Sequence, residues 1–177
     1  MFFIPFADEF PKIAEKQTRF ITVFDDSGDL PKGEYGLINA YCSDKKCDCR
    51  RAMINVFRSD GKQEASRLAV ISFGWESKSY YRKWSAYMSD EELAWFKGPG
   101  LDPYQSQSKY AETLLLFFKM QLQDEAYRNR LIRHYAQFKR KAGMKLPKDL
   151  EGWVGSMQDC GCGSGLAFKF CCGGLKR

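Results

Sequence analysis

In the first half of the chain, apolar residues come in short β-branched and aromatic runs separated by turn clusters. Arg19-Phe20-Ile21-Thr22-Val23-Phe24 stops at Asp25-Asp26-Ser27-Gly28, and Tyr35 to Tyr41, Arg51 to Phe57 and Arg67 to Phe73 follow. Such runs predict strands. The short intervals between them predict antiparallel pairing, because parallel neighbours need long crossovers. The period then changes to that of helices. Tyr80, Trp84 and Tyr87 recur at i, i+4 and i+7, and Ser89-Asp90-Glu91-Glu92 is a capping box for a short helix that Gly98-Pro99 ends. A helix is predicted from about 106 to 123 with Tyr110, Leu114, Phe117 and Phe118 on one side. A second, from about 124 to 141, has Tyr127, Leu131, Tyr135 and Phe138 inside and Arg128, Arg133, Lys139 and Arg140 outside. Gly143 reads as its C-cap, and Lys139-Arg140-Lys141 complements the helix dipole. From 145 onward Pro, Gly and mixed charge predict a linker anchored by Trp153. The fold class expected is α+β, an antiparallel sheet packed by helices. It divides into a body (1–143), a linker (144–158) and a tail (159–177).

Composition adds a bound. The chain has 177 residues, of which 44% are hydrophobic and 15% aromatic, enough for one packed domain with a small appendage. No apolar stretch approaches the roughly 20 residues of a membrane helix. Met1 to Phe6 is apolar, but it lacks a basic flank and is interrupted by Pro5, Asp8 and Glu9. It therefore does not read as a secretory signal, and a cytoplasmic location is expected. The net charge of +6 belongs to residues 106–177.

Cysteine placement carries the chemistry. Seven cysteines fall in two groups, three within Cys42–Cys49 and four within Cys160–Cys172. In a reducing compartment such clusters point to metal ligands before disulfides. Cys160, Cys162, Cys171 and Cys172 lie among Gly161, Gly163 and Gly165, which let a short backbone wrap one ion. A closed tetrahedral Zn2+ knuckle is the natural product; the other readings are four reduced thiols or a Cys171–Cys172 disulfide. Cys160, Cys162, Gly163, Ser164, Gly165, Phe168, Cys171 and Cys172 resemble the SEC-C motif, the zinc-binding tail of the SecA preprotein translocase that recurs on many bacterial proteins. The resemblance covers about a tenth of the chain. Gly161 replaces the family's usual Pro, and of its basic run only Lys169 remains. It implies a structural zinc and recognition of a protein or ribosomal partner, with Phe168 and Phe170 as apolar anchors.

The front group, Cys42, Cys47 and Cys49, sits among Asp44, Lys45, Lys46, Asp48, Arg50 and Arg51. It reads either as part of a second metal site or as a reactive cysteine with a basic neighbour. The chain's single histidine, His134, follows Leu131 by three and precedes Phe138 by four, which places it on the inner helix face. Either an ordinary hydrogen bond satisfies it there, or it completes a three-thiolate, one-imidazole set with Cys42, Cys47 and Cys49. Arg128, Arg133, Lys139 and Arg140 form either a phosphate-binding face for RNA or a solvated helix surface. No nucleophile elbow, P-loop or dinucleotide fingerprint is present. The function expected is a cytoplasmic zinc-binding adaptor; the alternatives are a thiol or redox enzyme using the front cysteines and an RNA-binding protein.

Overall fold

A computed structural model describes residues 2–155 apart from 27, 60, 62–64 and 84–86. The tail cysteines Cys160, Cys162, Cys171 and Cys172 lie outside the described residues, as does Trp84. Among the described residues the fold is α+β, with six antiparallel strands and seven helices.

The four expected strands are present as β2 (Arg19–Val23), β3 (Gly33–Cys42), β4 (Arg51–Ser59) and β5 (Ser66–Gly74). The apolar opening is a further strand, β1 (Phe3–Pro5), and β6 (Gly100–Leu101) closes the far edge. The order is β1-β3-β4-β5-β6, and β2 also pairs with β3. Because β4 takes one edge of β3, β1 and β2 share the other, opposite residues 40–42 and 33–37 respectively. Strand alternation then sorts the side chains. Tyr35, Leu37, Tyr41, Ala52, Ile54, Val56, Ala69, Ile71 and Phe73 join the main core, whereas Ala40, Met53 and Val70 form a smaller cluster of their own.

Helices cover the main-core face. After α1 (Phe6–Glu9) and α2 (Pro11–Gln17), the long elements are α5 (Ala111–Gln121) and α6 (Glu125–Lys141). Asp124 caps α6, its side chain accepting from the amides of Ala126 and Tyr127. Helix α5 starts later than its pattern suggests. The Gln107 side-chain amide pairs with the Val70 backbone at 3.0 and 3.1 Å, in place of a strand partner, and so holds residues before Ala111 against β5. Across the sheet, α4 (Asp90–Lys97) begins with the expected capping box and packs on β5 and β6. The preceding helix, α3, is only Lys78–Arg82; Tyr87 lies beyond it and is exposed, so the predicted three-aromatic face does not form.

The stretch read as a linker is structured through residue 155. Helix α7 (Lys148–Gly155) follows Leu146, and Leu146, Leu150 and Val154 are buried in the main core with Trp153 packed against it. Burial of three aliphatic side chains, at roughly 1.5–3 kcal/mol each, outweighs the turn-forming composition. No helix among the described residues is long and apolar enough to cross a membrane.

Candidate metal centre

β3 ends at Cys42 and β4 begins at Arg51, so the front cysteines belong to one hairpin connection. That connection is pinned residue by residue. The Asp44 side chain accepts from Lys46 N–H at 2.8 Å, and its carbonyl accepts from Cys47 N–H at 3.1 Å. From α6, Tyr135 Oη donates to Asp48 Oδ1 at 3.0 Å and accepts from Arg50 N–H at 3.3 Å. From α3, Tyr80 donates to the Asp48 carbonyl at 2.6 Å and Tyr81 to the Arg50 carbonyl at 2.8 Å. Arg50 has φ 46°, the left-handed region that non-glycine residues seldom occupy.

The Arg50 side chain explains how this backbone persists. Its guanidinium bonds Asp48 at 3.2 Å, Glu76 at 2.8 Å and Asp149 of α7 at 2.6 Å, and it lies over the Tyr80 ring. One cation thereby ties the cysteine loop to the segment before α3 and to α7. Strain held by surrounding contacts is typical of sites where the local geometry matters.

Cys42 and Cys49 are fully buried and Cys47 is 5% exposed. All three are free thiols, and their sulfurs lie within 4.8 Å of one another. The Cys49 thiol donates to its neighbours: this bond is the leading cause that holds Cys42 down to about 5 and also lowers Cys47, against the opposing effect of burial. The same two bonds push Cys49 well above the usual thiol range. Lys139 adds a smaller favourable field at Cys42 and Cys47.

A soft divalent ion fits this donor set. Sulfurs bound tetrahedrally at roughly 2.3 Å are about 3.8 Å apart, so a spread of up to 4.8 Å closes with small side-chain rotations. Binding must displace the Cys49 proton, which makes uptake favour higher pH.

His134 does not belong to this cluster. It is buried on the inner face of α6, as its spacing predicts, but Nε2 lies 2.8 Å from Gln17 Oε1 and Nδ1 lies 3.3 Å from Asn39 Nδ2. Asn39 also donates to Tyr41 Oη, which donates to the Leu131 carbonyl. With Nε2 donating and Nδ1 accepting, this network satisfies a neutral imidazole, which stacks on Phe6 at 4.0 Å. The expected three-thiolate, one-imidazole set is therefore corrected: both ring nitrogens are engaged elsewhere. Burial, aided by Arg133 and Arg130, drives the His134 pKa well below 6.5. The unfolded chain thus takes up a proton near roughly pH 6.5 that the folded chain refuses, and stability is lost as pH falls from there toward the folded pKa. As pH falls below 6.5 we expect a decline whose slope approaches about 1.4 kcal/mol per unit from this residue. Denaturant melts across that window check it: His134→Gln should flatten the slope while leaving metal content unchanged.

Lys139 is the second correction. It was expected on the outer basic face with Arg128, Arg133 and Arg140, yet it is completely buried and its Nζ donates to the Asp44 carbonyl at 2.7 Å. Its position four residues after Tyr135 is the signal that places it inward. Arg128 donates to the Leu122 carbonyl, so the outer face offers fewer free cations than the sequence suggests. Arg50 and Tyr135, which shape the cysteine loop, carry no comparable local signal for that role. No protein-family model, no curated protein and no solved structure matches this chain.

Proposed function

We propose that this chain is a cytoplasmic zinc-binding adaptor in which Cys42, Cys47 and Cys49 hold Zn2+ in the body and the SEC-C-like tail carries recognition. The convergence of three buried, free sulfurs within 4.8 Å is the observation that supports a metal in the body. Zinc there would supply folding energy, drawing the β3–β4 connection into one shape; the chain's residues supply three thiolates and the pinned loop. Three thiolates leave one tetrahedral position of the zinc for a further donor. The tail would add a second, four-cysteine zinc through Cys160, Cys162, Cys171 and Cys172, with a protein or ribosomal surface as its partner. Affinity capture with the full chain and with a chain lacking residues 159–177 tests that division. The adaptor reading expects loss of the specific partner set on truncation; an unchanged set removes the tail from the binding role.

One observation favours a second reading, a thiol or redox enzyme: the lowered pKa of Cys42 and Cys47. Burial opposes it, since a nucleophile must reach its substrate and Cys42 is fully covered. In the metal-loaded chain all three front cysteines should resist alkylation at pH 7 for hours. Modification of any of them within minutes would favour the enzyme. RNA binding has less support, because Lys139 is withdrawn from the basic face.

A further inference from the structure

A lysine with 0% exposure needs a reason, because an ammonium removed from water without a counter-charge is strongly disfavoured. Lys139 runs beside the Tyr135 ring, its Nζ 5.6 Å from the ring centroid, and ends on the Asp44 carbonyl, the same oxygen that accepts the Cys47 amide. Among the described residues no carboxylate is in ion-pair distance of it. Its field reaches Cys42 and Cys47.

Charge counting gives this placement a meaning. Three thiolates around a divalent ion leave one net negative charge, and Lys139 supplies one positive charge. A second buried cation, Arg51, also lies in the field of these sulfurs: Cys49 is its leading charged partner, ahead of Tyr81, Asp102 and Cys47, while its guanidinium donates to Ser72 and lies 3.7 Å from the Phe96 ring centroid. Arg50 is matched by three carboxylates of its own. Lys139, with its Nζ on the cysteine loop itself, is the cation that has no carboxylate partner there. Resting on the zinc reading above, we propose that Lys139 is a positioning residue and counter-charge of the Cys42/Cys47/Cys49 centre, offsetting the net negative charge that three thiolates leave on a divalent ion.

The test reads the front site alone, in full-length chain with Cys160, Cys162, Cys171 and Cys172 changed to Ser, by Zn2+ titration against a chromophoric chelator. Lys139→Met keeps the bulk and loses the charge; Lys139→Gln keeps a donor for the Asp44 carbonyl; Lys139→Arg keeps the charge. Outer partners of metal ligands commonly contribute about 10- to 100-fold in affinity. Both neutral variants should therefore bind Zn2+ at least about tenfold more weakly and need higher pH for half-loading, with Lys139→Arg nearest the parent. Should Lys139→Met fail to fold, Lys139→Gln carries the comparison. Parent-like affinity in either folded neutral variant overturns the proposal. A parent protein that takes up no Zn2+ refutes the zinc reading itself, a separate failure.

Discussion

Cys49→Ala should empty the front metal site and lower the melting temperature by about 10–20 °C in zinc-containing buffer. Cys49 is the hub of the trio, buried and bonded to both other thiols. A ligand that binds only the folded state, present at about a thousand times its Kd, stabilises by roughly 4 kcal/mol. In a domain of this size each kcal/mol moves the melting temperature by about 2–4 °C. The small cavity left by the sulfur adds about 1 kcal/mol. Excess chelator separates the two terms. With the metal stripped from both proteins, parent and variant should differ only by the cavity term; a difference that persists at full size means packing, and metal has no part in it.

Arg50→Ala is expected to cost about 3 kcal/mol or more. The side chain is nearly covered, and its removal leaves Asp48, Glu76 and Asp149 facing one another without their cation. Breaking a buried ion pair from one side typically costs roughly 3–5 kcal/mol; the partial exposure of the carboxylates holds the figure to the lower end. Arg50→Gly loses the same contacts yet relieves the backbone at φ 46°, so it should be less damaging by about 1 kcal/mol. The ordering of these two variants in denaturant melts is the informative result. Equal losses would show that the left-handed conformation stores no strain. Because Asp149 lies on α7, Trp153 fluorescence should shift in both variants as that helix loosens.

How much of this was legible in the sequence depended on range. β3, β4 and β5 announce themselves through β-branched runs, and α6 through a period sustained over four turns. β1 has three residues and could not declare itself; its partners lie some forty residues away at Ala40 to Cys42. Residues 148–155 were misread because composition describes turn preference, whereas Leu150 and Val154 are captured by the main core. At the site, Cys42, Cys47 and Cys49 were legible because one hairpin carries all three. His134 was placed on the correct face, but periodicity gives a helix face and not the height along it. The hairpin meets α6 at Tyr135 and Lys139, while His134 meets Gln17 and Asn39. For Lys139, charge suggested solvent while spacing pointed inward, and spacing was the better guide. The Arg50 clamp joins residues 48, 76 and 149, a set that no local pattern encodes.

The most direct test counts metal in the full-length chain with Cys160, Cys162, Cys171 and Cys172 changed to Ser, purified without chelator and measured by elemental analysis beside the same chain carrying Cys49→Ala. A front centre of Cys42, Cys47 and Cys49 predicts about one zinc per chain in the first protein and close to none in the second. Zinc near zero in both, or equal amounts in both, would contradict it.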